Sequence, residues 1–259
     1  ERVIAAVGIH NAWRWQALVV VLVVVPLAFV FPRKASRFSD IASPTTARIA
    51  LQSESWTMSE AIRSGMFWVI AASLATSGAL TTALAFHQLA ILGEQGLTPF
   101  EAAANFLPQT VTGILATLLT GSLIDRVNPK LFVLFSMITL SASLLMLPMV
   151  EPGLSAILYG LILGAAIGSL RGMEAASYVR YYGTEHIGAI RGVATSILLA
   201  STAFGPLALA LGFDLTGGFI GPAMVLAGIP LVVAALAVFA RPPHHETAKR
   251  RLRRKRPPM

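Results

Sequence analysis

Seven long apolar runs divide the chain, at 15–31, 66–92, 102–124, 131–150, 154–178, 192–212 and 219–240, with polar or charged connections between them. A helix crosses the hydrocarbon of a bilayer in about 20 mostly apolar residues, and runs of this length read as helices rather than strands. The pattern predicts an all-α polytopic membrane protein with seven transmembrane helices. The stretch 3–9 is too short to cross alone, so residues 1–14 read as the remnant of a preceding helix and an outer loop. The last six runs are joined by short turns, and only 32–65 is long, with Ser, Thr, Pro and charge through 36–55. Thr57 and Glu60 have capping-box spacing, which predicts a short interfacial helix with Trp56, Phe67 and Trp68 as aromatic anchors. The expected organisation is a lone helix at 15–31, a cytoplasmic linker with an interfacial helix at 32–65, a six-helix bundle at 66–240 and a basic tail at 241–259.

Composition agrees with the pattern. Hydrophobic residues make up 55% of the 259 and charged residues 12%, about half the charged share of a soluble domain. The absence of cysteine removes disulfides and thiolate chemistry. The net charge of +8 sits almost entirely beyond residue 240, where eight basic residues face Glu246 alone. After a hydrophobic span such a tail suits anionic lipid on the cytoplasmic face better than nucleic acid. Lys and Arg alternate between connections. They occur between the first and second runs, third and fourth, fifth and sixth, and after the seventh, and are missing from the others. By the positive-inside rule those connections and the C-terminus face the cytoplasm, in a cell (inner or plasma) membrane.

Polar residues inside the runs are the candidate solute-binding groups. Asn105, Gln109, Thr112, Gly113, Ala116 and Thr120 share one helical face, which must meet either a partner helix or a water-filled path. Ser77, Thr81, His87 and Gln88 add polar positions to the second run. Arg171 lies about 17 residues into the fifth run, roughly 25 Å along it at 1.5 Å per residue. With Glu174 three residues on, it forms either a structural ion pair or a solute site. Gly160, Gly164, Gly168 and Gly172 recur every fourth residue, a stripe along which another backbone can approach. No metalloprotease, nucleophile-elbow, phosphate-loop or dinucleotide motif is present, so no enzyme activity, cofactor or metal is expected.

The turn Gly121-Ser-Leu-Ile-Asp125-Arg126-Val-Asn128-Pro129-Lys130 resembles the cytoplasmic loop motif G-x-L-x-D-R-x-G-x-[RK] of the major facilitator superfamily. Asn128 replaces the motif's glycine, either to take left-handed geometry or to cap the next helix ahead of Pro129. Other stretches fit the same family, notably its bacterial members similar to monocarboxylate transporters. These are Trp13-Arg14, the run from Trp56 through Glu60 and Arg63 to Phe67-Trp68, Phe86-His87-Gln88, Gly188 to Gly192, and Gly205-Pro206 with Asp214 and Gly217.

The resemblance implies a secondary transporter of twelve helices in two halves that work by alternating access. Residues 15–31 would then be the sixth helix and 66–240 the C-terminal half. The first five helices would be missing, so the partners are the bilayer, a small solute and the absent N-terminal half. It also implies a cytoplasmic gate in which Gly121 permits close helix approach while Asp125, Arg126 and Lys130 latch against Glu174 and Arg191. A small organic anion, such as a monocarboxylate, is the implied solute, although the third run has only Asn105 and Gln109 where such carriers place charge. The alternative is a seven-helix receptor-like protein or other non-transport membrane protein. Against it, no run contains the lysine that a retinal Schiff base needs, and the long 32–65 connection splits the bundle unevenly.

Overall fold

The computed structural model describes residues 9–30 and 56–240. The expected remnant at 1–8, most of the linker (31–55) and the basic tail (241–259) lie outside the described residues. The chain divides into two units, Glu1–Gln52 and Ser53–Met259. The first contains one described helix, α1 (Ile9–Val30), with Pro26 inside it and an apolar stretch at Ala17–Pro26.

The second unit is helical throughout its described residues. In order it contains α2 (Met58–Ala61), α3 (Gly65–Glu94), α4 (Pro99–Ala104), α5 (Phe106–Leu123), α6 (Pro129–Met146), α7 (Leu154–Tyr182), α8 (Ile187–Thr216), α9 (Ile220–Leu226) and α10 (Gly228–Phe239). Six helical stretches here are long and apolar enough to cross a bilayer: Gly65–Glu94, Pro99–Leu123, Pro129–Met149, Leu154–Tyr182, Ile187–Thr216 and Ile220–Phe239. They correspond to the last six apolar runs and form the expected half-bundle.

Local sequence sets the helix ends. Thr57 and Glu60 form the predicted capping box, and Thr98 with Glu101 forms a second. Ser64 caps α3 by accepting from the Phe67 amide. Asn128 resolves its two readings as a cap, with φ −66° and its side chain accepting from Lys130 N ahead of Pro129. Gly217 takes the left-handed conformation that ends α8. Before it, the helix continues through Gly205-Pro206.

Two close helix pairs organise the unit, α5 with α7 and α3 with α8. Along α5–α7 the glycine stripe meets backbone. A Cβ on Gly164, Gly168 or Gly172 would come within 3.0 Å of the carbonyl oxygen of Gln109, Gly113 or Thr117 respectively. This register makes the two helices parallel, and the polar and small face of α5 meets a partner helix for most of its length. Thr117 Oγ1 donates to Gly113 O and, across the seam, to Gly168 O. Along α3–α8, Gly205 lies against the Ala79 carbonyl and Gly78 against Leu198 and Ser201. Without glycine at these positions the backbones would stand further apart, and the dispersion contacts that hold apolar helices together in lipid would weaken.

Two of the expected interfacial anchors are core residues. Trp56 is buried with its ring edge-on to Tyr182, at 5.7 Å between centroids. Phe67 is fully buried against the same tyrosine. Only Trp68 is exposed, its indole N–H donating to Ile62 O. The Trp56 amide donates to Tyr182 O, and the Ser64 and Tyr182 hydroxyls lie 2.8 Å apart. The segment before α3 is therefore tied to the end of α7 instead of lying free on a surface.

Candidate functional site: a polar cleft between α5 and α7

Beside the glycine stripe, α5 and α7 open a cleft of about 350 Å³ that Gly113 and Gly168 also line. Its polar lining is Gln109, Thr110, Thr117 and Arg171, and its apolar lining includes Phe106, Ile114, Leu118 and Ile167. Both threonine hydroxyls donate to backbone carbonyls, Thr110 to Phe106 O and Thr117 to the two glycine carbonyls. Arg171 makes no hydrogen bond or ion pair with any described residue. An uncompensated guanidinium inside a span is costly, so such residues mark functional sites by default.

The expected Arg171–Glu174 ion pair does not form. Arg171 lines the cleft with α5, while Glu174 does not line it and, like Arg191, is close enough to the buried Tyr178 hydroxyl for its charge to act there. Among the described residues that hydroxyl and Ser177 Oγ are buried without hydrogen-bond partners.

At the other end of the cleft, three candidate residues form one network. Gln88 Nε2 donates to Ala102 O, and Asn105 Nδ2 donates to Ala156 O. Gln109 Nε2 donates to both Gln88 Oε1, at 3.0 Å, and Asn105 Oδ1, at 2.9 Å. Gln88 and Asn105 are buried, so of the three only Gln109 lines the cleft.

The remaining solute-path candidates lie elsewhere. His87 Nε2 is 3.3 Å from Pro206 O, and its ring packs on Phe219 at 4.9 Å. Thr81 donates to Ser77 O, and Ser77 is buried in α3. Thr112 donates to Pro108 O within its own helix.

The 121–130 turn differs in detail from its expected role. Among the described residues nothing lies within 4 Å of a Cβ built on Gly121, so no described helix approaches there. Asp125 and Arg126 are exposed and form no ion pair with Glu174 or Arg191. Lys130 Nζ instead donates to Val238 O and Ala240 O, capping the C-terminal end of α10. Arg180, which the sequence did not single out, donates to Ile124 O and Val127 O, and Tyr181 joins Asn128 at 3.1 Å. Thr117 was also missed, although it stands two helical turns from Gln109 on α5. The signal for Arg180 was a basic residue in the last turn of a helix, where it suits orphan carbonyls.

Six membrane-length helices, with a polar cleft open between two of them, define a multi-pass membrane protein. The family model of the Major Facilitator Superfamily matches residues 111–259, more than half of the chain, from within α5 onward. The chain belongs to the Major Facilitator Superfamily, whose members carry small solutes across membranes. No curated protein matches it.

Proposed function

We propose that the chain is the C-terminal half of a bacterial, monocarboxylate-transporter-like carrier of a small organic anion, working by alternating access, with Arg171 holding the anionic group. One observation carries this: Arg171 pairs with no described residue and stands on an open cleft within a span. A lone guanidinium between apolar walls favours a carboxylate or similar anion, which it can grip with two parallel N–H donors.

The proposed orientation places the 121–130 turn, the α7–α8 connection and the C-terminus in the cytoplasm. Its support is that Arg180 and Lys130 tie the turn, the end of α7 and the end of α10 to one end of the bundle, which also holds Arg63, Arg126 and Arg191. At that end, Asp125 and Arg126 would meet charges of an N-terminal half in one state of the cycle, and Glu174 and Arg191 would flank the same gate. Lys130 would act there by holding α10 against the turn.

Uptake of short carboxylates into proteoliposomes of the native transporter tests the reading. Arg171→Gln should raise KM about ten- to a hundredfold, the worth of a charge-assisted hydrogen bond, while the protein still inserts and purifies. Unchanged uptake kinetics in that variant would reject it.

A further inference from the structure

The hydrogen-bond network at the outer end of the cleft fixes which way the Gln109 amide points. Its orientation follows from two backbone carbonyls. Ala102 O and Ala156 O can only accept, so Gln88 and Asn105 must each present an amide N–H₂ to them. That turns Gln88 Oε1 and Asn105 Oδ1 toward Gln109, where both accept from Nε2. Both N–H bonds of Gln109 are thereby engaged inside the protein. Its Oε1 accepts from no described residue and is the end of the amide left for the cleft.

The cleft then holds one free donor group, Arg171, and one free side-chain amide acceptor, Gln109, because the threonine protons are already donated to backbone. In the parallel register Arg171 is level with Thr117, since Gly172 meets the Thr117 carbonyl while Gly164 meets that of Gln109. Eight residues of α5 separate the two levels, roughly 12 Å of rise. The Arg171 side chain leans back toward the start of its helix and the Gln109 side chain leans the same way toward Asn105, so the two ends stay about that far apart. Between them the wall is apolar, formed by Gly113, Ile114 and Ile167.

Resting on the anion reading of Arg171, we infer that the site selects organic anions with a hydrogen-bond donor at the far end of a short apolar chain, ω-hydroxy acids being the simplest case. A plain alkanoate leaves Gln109 Oε1 without a partner once water is displaced. A 2-hydroxy acid places its hydroxyl too near its carboxylate to reach.

Saturation-transfer NMR on the purified native transporter in detergent, with empty micelles as blank, tests this using hexanoate, 6-hydroxyhexanoate, propionate and lactate. The expected result is a three- to tenfold tighter Kd for 6-hydroxyhexanoate than for hexanoate, the range of one neutral hydrogen bond. Lactate should show no gain over propionate. Gln109→Leu should erase the hexanoate pair's difference, and Arg171→Gln should weaken both members alike. Equal affinities of the hexanoate pair in the unmodified transporter, still dependent on Arg171, would overturn the donor requirement and leave the anion site standing. Binding of neither acid, or binding indifferent to Arg171→Gln, would overturn both.

Discussion

The α3–α8 and α5–α7 seams are built alike and left in different chemical states. Each is a pair of apolar helices brought into backbone contact by glycine. In α3–α8 several of the described polar side chains are satisfied locally. His87 meets Pro206 O, Ser201 donates to Leu198 O, and Ser73 and Thr81 donate back along their own helix. In α5–α7 the packed seam is as tightly closed, but the cleft beside it carries a guanidinium and one end of an amide that meet no partner among the described residues. Packing glycines therefore do not by themselves mark a solute site. Unmatched hydrogen-bonding capacity beside a cavity does.

The largest expected effect comes from closing one seam by force. Gly168→Val drives a side chain into the Gly113 backbone and should cost about 1–3 kcal/mol or more, read as loss of monodisperse protein in detergent. Gly205→Val, against Ala79, should do the same to the other seam. Gly121→Ala, with open space around it, should stay within about 0.5 kcal/mol of the parent. If all three behaved alike, the glycines would not be what holds the seams.

Ligand effects should split the seams next. Arg171→Gln should cost ten- to a hundredfold in solute affinity, whereas His87→Phe should change it less than about twofold, since His87 is engaged with Pro206 and Phe219. Gln88→Leu should lower stability by about 1–3 kcal/mol by leaving the Ala102 carbonyl unpartnered, measured as the thermal midpoint in detergent. Lys130→Met should have the smallest effect, about 0.3–1 kcal/mol for a cation at a helix C-terminus. Faster hydrogen exchange confined to the end of α10 would identify that loss.

Most of the bundle was legible in sequence because the bilayer imposes a length on every apolar run. The ends were less so. The run at 192–212 became α8 from Ile187 to Thr216, since a helix can continue past the hydrocarbon wherever caps satisfy it, and Arg191 is no obstacle at that depth. Trp56 and Phe67 were misread as anchors because an aromatic at a membrane edge suits a protein core equally well. The partner that decided it, Tyr182, is more than a hundred residues away in sequence. Lys130 was placed in the gate by its motif position, and only the approach of α10 reveals its carbonyl partners. The stripe on α5 was visible, yet whether it met a helix or a path depended on which polar groups were already bonded, and periodicity does not contain that information.

The central claim is that Arg171 gives the α5–α7 cleft a positive, anion-seeking interior. The chain has no cysteine of its own, so Ile114→Cys places a single thiol on the cleft wall, to be labelled by an anionic or a cationic methanethiosulfonate of similar size. The account predicts that the anionic reagent reacts faster and that adding Arg171→Gln removes or reverses this preference. A rate ratio unaffected by Arg171→Gln would contradict it.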